Sequence, residues 1–295
     1  MKATEGFVPV DGHRLFFRTF GADSDPTIVG LHGGPGATHD YLLPLADLAA
    51  DGFRVVLFDQ LGCGRSELPD DLSLLTLEHN VLEVEGIRTG LGLGRIHLIG
   101  SSYGGLLAIA YALRWPGHLR SLVTVGGLAS VPLTAREMAR LKLTLPESTR
   151  AVMERHEAAG SLTDPAYRQA VDEFYRNFLC RLPVWPPELL HSLEMLDRRP
   201  VYARMNGPNE FTITGTIRDV DLTSRLPEIH LPTLVLGGRY DEVTPEVARA
   251  IESGIPGARR VEFAHSSHLP FWEERAEFHR IVAEFLRSVD AAAVP

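Results

Sequence analysis

The chain has 295 residues, of which 44% are hydrophobic and 23% charged, and carries a formal net charge of −9. The length allows one large domain or two of ordinary size, and the apolar content allows a substantial core. The acidic balance argues against a nucleic-acid partner, whose phosphates repel such a surface. Two cysteines, Cys63 and Cys180, lie far apart with no C-x-x-C pair and no zinc spacing. Free thiols in a reducing, cytoplasmic setting are expected, with no metal and no cofactor. The N-terminal residues lack an apolar signal region. The most apolar long stretch, 96–115, is interrupted by His97, two serines and three glycines. Neither export nor membrane insertion is expected.

Along the chain, residues 7–20 read as a hairpin around Asp11-Gly12, with Pro9 pointing to an edge strand. Residues 27–31 form a short apolar run that leads into His32-Gly33-Gly34-Pro35-Gly36. Residues 41–50 have helical spacing, and 54–58 form another buried strand. The run 95–99 then leads into Gly100-Ser101-Ser102-Tyr103-Gly104, followed by a helical apolar stretch over 105–113. Further strand-like runs are 121–125 and 232–236. Strands alternating with helices predict a mostly parallel sheet with helices on both faces. From 132 to 227 the pattern changes to charge-rich helical segments punctuated by prolines at 146, 165, 183, 186, 187 and 200. So long a stretch between successive core strands reads as an inserted helical cap. The expected division is a core of 1–130 with 228–295 and a cap of 131–227. The tail 290–295 is expected to fray.

Chemistry concentrates at the ends of the core strands. A G-x-S-x-G sequence between a strand and a helix is the nucleophile elbow of α/β-hydrolases, and it nominates Ser102. A serine hydroxyl needs an adjacent base oriented by a carboxylate. In this fold the acid and the histidine follow the serine in chain order. Asp241, after the run 232–236, is the expected acid. The loop His265-Ser266-Ser267-His268 offers two histidines, and His268 is preferred because it directly precedes the step into the last helix. The amides of Gly34 and Tyr103 are expected to form the oxyanion hole. Gly33 and Cys63 are candidate pocket residues, Cys63 equally a small buried hydrophobe. Asp59 and Arg65 are expected to hold a loop. Phe174, Tyr175, Phe178 and Trp185 read as cap packing, with a pocket role as the alternative.

Four segments together are specific: H-G-G-P-G at 32–36, D-Q-L-G-C-G-R-S at 59–66, G-S-S-Y-G-G at 100–105 and G-G-R-Y-D at 237–241. They resemble the proline iminopeptidase family, serine aminopeptidases of the α/β-hydrolase fold. The cap segment M-N-G-P-N-E-F at 205–211 resembles that of the archaeal tricorn-interacting aminopeptidase and its bacterial relatives. Leu61 and Tyr103 stand where the strict proline-cleaving type carries Arg and Trp, so strict proline preference is not implied. The resemblance implies that Glu210 and Glu242 bind the substrate's free α-amino group, largely cationic at pH 7. Otherwise Glu242 is a solvated loop acid and Glu210 an acid at a helix start. The expected substrate is a small peptide or aminoacyl amide, cleaved through an acyl-enzyme. Rival readings are removal of an aminoacyl protecting group from a biosynthetic intermediate, an esterase or lactonase, and a non-catalytic ligand-binding protein.

Overall fold

The computed structural model describes residues 3–292. The chain opens with a hairpin of β1 (Thr4–Val10) and β2 (His13–Phe20), turned by Asp11 and Gly12, both at positive φ. Positive φ at both central residues gives the turn a twist that matches paired strands. The apolar runs become β3 (Thr27–Leu31), β4 (Arg54–Phe58), β5 (Ile96–Ser101), β6 (Leu119–Val125), β7 (Thr233–Gly238) and β8 (Arg259–Phe263). They form one eight-stranded sheet in the order β1-β2-β4-β3-β5-β6-β7-β8. β1, β2 and β4 pair antiparallel, and every pairing from β4 onward is parallel. Pro9 sits in the edge strand β1, where its missing N–H has no ladder to break.

Helices α1 (Leu77–Gly90) and α2 (Tyr103–Arg114) follow β4 and β5. Between β6 and β7 come α3 (Val131–Lys142), α4 (Glu147–Ala159), α5 (Pro165–Phe178), α6 (Pro187–Arg198) and α7 (Pro200–Met205). The chain ends with α8 (Pro245–Gly254), the short α9 (Pro270–Glu273) and α10 (Arg275–Ala292). Prolines 165, 187 and 200 occupy first helical positions, where no amide is needed. The stretch 41–50 forms not an α-helix but a run of 3₁₀ turns over His39–Asp51. Pro44, inside that run, has no amide to give to an α-type bond.

Parallel strands are buried on both faces, so successive residues feed two separate cores. Val29, Val56 and Leu98 pack with Val84, Ile87, Leu106 and Leu107 of α1 and α2 and with Val247 and Ile251 of α8. Their neighbours Ile28, Val55 and Ile99 pack on the other side with Leu42, Leu45 and Leu48 and with Phe278 and Val282 of α10. A third, smaller core lies within α3–α5: Met138, Met153, Tyr167 and Phe174. Helix α10 does not fray at 290 as expected. Asp290 lies 2.8 Å from Arg120 Nη1 and 3.2 Å from Nε2 of the buried His97, which tie it to the sheet. Residues 293–295 lie outside the described residues. Among the described residues, no helix is long and apolar enough to cross a membrane.

Candidate active site

Ser102 sits between β5 and α2 at φ 58°, ψ −127°. A non-glycine residue there carries about 1–3 kcal/mol of backbone strain, which surrounding contacts must hold in place. Its amide donates to Val125 O at 3.0 Å, and Gly105 N donates to its carbonyl at 2.8 Å. The glycines around it follow from close approach. A Cβ on Gly100 would run into the Gly104 carbonyl, and one on Gly104 into the Leu31 carbonyl. This is why a strand can turn directly into a helix here and leave Ser102 partly exposed.

Asp241 lies in the loop after β7 and His268 in the loop after β8. The His268 Nδ1–H donates to Asp241 Oδ1 at 2.6 Å, and Val243 N donates to the same oxygen at 2.8 Å. Both residues are buried. Burial opposes charge on either one. For His268 the negative charge of Asp241, with Glu242 behind it, outweighs burial and raises the imidazole above its ordinary value. Gly126, at the end of β6, makes room for the pair: a Cβ there would lie 2.6 Å from His268 Nδ1. Glu273 steadies the loop by accepting from the amide and the hydroxyl of Ser267, both at 2.8 Å. His265, the other candidate, is exposed, and its amide is held by Glu274.

The loop after β3 is shaped from behind. His32 is fully buried, and burial lowers its pKa, so it is neutral. Its Nε2 accepts from Gln60 N at 3.0 Å, which leaves the proton on Nδ1 to donate to Gly33 O at 3.1 Å. Gly33 N donates to the Tyr41 hydroxyl at 2.7 Å and is thereby engaged. Gly34 follows at φ 106° and lines the same cleft as Ser102 and Tyr103. Asp59 caps the neighbouring loop. It accepts from His39 N and Nδ1 at 2.8 Å and from Arg65 N at 2.9 Å. Burial alone would raise the Asp59 carboxyl, but the hydrogen bonds from His39 and from the Arg65 amide hold it below its usual value.

Counted out to its mouth, the cleft over Ser102 holds about 920 Å³. Ser102, Tyr103, Gly34 and His268 line its floor, and Glu210, Tyr175 and Tyr202 come from the helical segment above. Glu242 lines it too, buried, with its amide donating to Phe178 O of α5 at 3.1 Å. Glu242 Oε1 lies 3.9 Å from His268 Nε2. Burial, then repulsion from Glu210 and Asp241, pushes the Glu242 carboxyl up to about 8 despite the pull of His268. The Tyr175 and Tyr202 hydroxyls are raised by burial and then by the charge of Glu210, so they remain neutral beside it. Most of the remaining lining is apolar, including Leu128, Val131, Met138, Leu189, Leu193 and Leu196, with Thr134, Ser192 and Asn206 as its neutral polar members. Two carboxylates in such a cleft, without a lysine or arginine among its lining residues, favour a positively charged guest.

The structure thus brings Ser102, Asp241, His268, Gly34, Tyr103, Glu210 and Glu242 to one place. Glu242 is not a solvated loop acid, and Glu210 does not start a helix but sits in the turn closed by the Asn209–Thr212 bridge. Cys63 does not line the cleft. It is fully buried in the core, its thiol near the Leu61 carbonyl. Gly33 lies behind the cleft rather than in its lining, so close that a Cβ would be 2.6 Å from Ser102 Cβ. Of the four cap aromatics, only Tyr175 reaches the cleft; Phe174 and Phe178 pack together at 4.9 Å between ring centres. Tyr202 and Tyr41 escaped sequence reading because nothing in their local patterns separates them from core tyrosines. Among the described residues, no group of three or more His, Cys, Asp or Glu side chains is arranged to hold a metal ion.

Residues 26–275 match the family model described as the alpha/beta hydrolase fold. The chain is 45% identical over 287 residues to the proline iminopeptidase of Thermoplasma volcanium, covering 97% of each chain. It is 44% identical to that of Saccharolobus solfataricus, covering 97% of this chain and 93% of the relative. Among solved structures, the proline iminopeptidase of Mycobacterium smegmatis superposes with a TM-score of 0.92 at 38% identity, over 98% of this chain and 100% of the other. VinJ superposes with a TM-score of 0.93 at 38% identity, over 97% and 99%.

Proposed function

The chain belongs to the α/β-hydrolase family and, within it, to the proline iminopeptidases; from that premise we propose how its residues divide the work of a serine aminopeptidase. Ser102 Oγ attacks the carbonyl of the substrate's first residue. His268 takes the hydroxyl proton and returns it to the leaving amine, and Asp241 fixes the imidazole tautomer and stabilises its cation. The amides of Gly34 and Tyr103 receive the oxyanion, and Gly33 cannot replace Gly34 because Tyr41 holds its N–H. Water then releases the acyl group by the same path in reverse. Residues 131–227 act as a cap that supplies Glu210, Tyr175 and Tyr202 to the cleft.

The observation that carries the exopeptidase reading is the pair Glu210 and Glu242 in one cleft with Ser102. An α-ammonium between them restores the charge balance of a buried, mutually repelling pair and fixes the first carbonyl over the serine. A blocked N-terminus offers the pair no cation to offset its burial. The test compares aminoacyl arylamides with free and acetylated amines, alongside a simple acetate ester. Glu210→Gln and Glu242→Gln should each reduce kcat/KM on the free amine by roughly 1.5–4 kcal/mol and leave the ester nearly untouched. Equal losses on both substrates would refute an amine-binding role.

The lining favours one further refinement of the substrate. It holds no lysine or arginine to receive a peptide's C-terminal carboxylate. A leaving group without that charge, such as the amine of an aminoacyl-protected biosynthetic intermediate, suits this cleft better than a free dipeptide. Hydrolysis of a dipeptide and of its C-terminal amide, compared directly, decides between them.

A further inference from the structure

Behind the cleft runs a chain of hydrogen bonds that no step of the mechanism uses. The Tyr103 hydroxyl donates to Asn80 Oδ1 at 2.6 Å. Asn80 Nδ2 donates to Glu83 Oε1 at 2.8 Å, and Glu83 Oε2 accepts from Leu61 N at 2.9 Å. Next to Leu61, Gln60 donates from its backbone to His32 Nε2 at 3.0 Å and from its side chain to the His32 carbonyl at 2.8 Å. His32 in turn holds Gly33 O, one residue from Gly34. The chain therefore begins on the residue that follows the nucleophile and ends on the loop of the other oxyanion donor. All its side chains are buried: Tyr103 at 2% exposure, Asn80 at 2%, Glu83 at 1%, Gln60 at 2% and His32 at 0%.

We propose that Glu83 is a positioning residue that, through Asn80–Tyr103 on one side and Leu61-Gln60–His32 on the other, fixes the two oxyanion amides relative to each other. This inference rests on the assignment of Gly34 and Tyr103 above. The physical case is that an oxyanion hole works by preorganisation: its donors must already stand where the charge develops. Here the two donors belong to different loops, after β3 and after β5. Burial of a carboxyl is unfavourable, so a Glu at this place needs a return. Its two oxygens accept from two different elements, α1 and the loop after β4, which no shorter or single-acceptor side chain can join. Burial keeps its carboxyl up at about 7 although both hydrogen bonds favour the charged form. The groups that face it are His79, whose Nε2 lies 3.8 Å from Glu83 Oε1, with Cys63 and Tyr103 nearby. No lysine or arginine pairs with it among the described residues, and burial lowers the His79 imidazole, so Glu83 serves as a bridge of acceptors rather than an ion pair.

The distinguishing readout is a transition-state analogue. An α-amino boronic acid forms a tetrahedral adduct with Ser102 and places an oxygen in the hole, whereas the product amino acid does not. Tyr103→Phe keeps the ring and the amide but cuts the first link; Glu83→Gln puts an NH₂ against a donor and cuts the middle one. Each should lower kcat and boronate affinity together by roughly 10- to 100-fold, with KM and product inhibition within about 3-fold. Because both changes sever one chain, the double variant should lose little more than the worse single variant. Unchanged boronate affinity in folded Tyr103→Phe, or losses that multiply in the double variant, would overturn the proposal. If Glu83→Gln does not fold, Tyr103→Phe alone decides by the same boronate measurement. Ser102→Ala and wild-type boronate binding serve as controls. Loss of activity in the first with tight binding in the second keeps the active-site assignment standing whatever the fate of Glu83.

Discussion

At Glu242, stability and function pull in opposite directions. Its carboxyl is buried, repelled by Glu210 and Asp241, and raised from 4.5 to about 8. In the unfolded chain it ionises near its ordinary value. Between those two pH values the native state keeps a proton that the unfolded state has lost, so native stability falls as pH rises. Above about pH 8 the full penalty of the buried charge is present. Glu242→Gln should therefore raise Tm by a few degrees above pH 8, with the gain fading as the pH falls towards 4.5. Thermal melts of both proteins from pH 4.5 to 9 check this, and a gain that grows towards acid would contradict it. Such a stabilising change, paired with loss of aminopeptidase activity, is the usual trade at a site built for charge recognition.

The element that most constrains this protein is the β5–α2 turn. Its geometry follows from three glycines packed against backbone: Gly100 against Gly104, Gly104 against Leu31, and Gly105 against Gly127, where an added Cβ would lie 2.6 Å from the Gly127 Cα. Neighbouring backbone cannot move aside as a flexible side chain can. Gly104→Ala should therefore push α2 away from β3, costing on the order of 2 kcal/mol or more and collapsing kcat with it. Chemical denaturation and kcat measured on the same preparation test this; a stable, fully active variant would show that the turn has slack. Other elements carry their own local reasons. Thr76 and Ser130 cap α1 and α3 by accepting from His79 N and Leu133 N, each at 3.2 Å. Gly36 and Gly62 leave room for α7, whose Val201 and Tyr202 seat against the two loops.

On the scale of the whole molecule, two cores flank the sheet and a third lies within α3–α5. Phe174 is fully buried in that third core, edge-on to Phe211 at 4.9 Å and beside Met138 and Tyr167. Phe174→Ala should cost about 3–5 kcal/mol, and the loss should fall on residues 131–227. Amide hydrogen exchange should quicken in α4 and α5 while β5 and β6 stay protected. Aminoacyl-arylamide hydrolysis should fall further than acetate-ester hydrolysis, since Glu210 and Tyr175 belong to the loosened part and Ser102 does not. Uniform loss of protection across the sheet would mean that the third core is not an independent unit.

The strands and the elbow were legible in the sequence because their causes are local: short apolar runs ended by Gly and Pro, and glycines wherever a Cβ has no room. Ser102 came from the elbow motif, Asp241 and the His265/His268 pair from chain order, the preference for His268 from its place before the last helix, and Glu210 and Glu242 from the family resemblance. Sequence reasoning read 132–227 as helical but gave no bounds to α6 and α7, whose first-turn prolines read as punctuation. It took the Pro44 stretch for a helix, expected Asp290 to fray, and left Cys63 as a candidate for the cleft. The last two outcomes depend on partners far along the chain. Asp290 is fixed by His97 and Arg120, and Cys63 by the core packed around it. The same holds for the path from Tyr103 through Asn80 and Glu83 to Leu61. No spacing rule links residues 61, 80, 83 and 103; they meet because α1 packs against α2 and meets the loop after β4. Periodicity and backbone sterics act within a few residues and so can be read in order. Burial, charge and hydrogen-bond partnership are set by whichever elements the sheet brings together, and only the tertiary structure decides them.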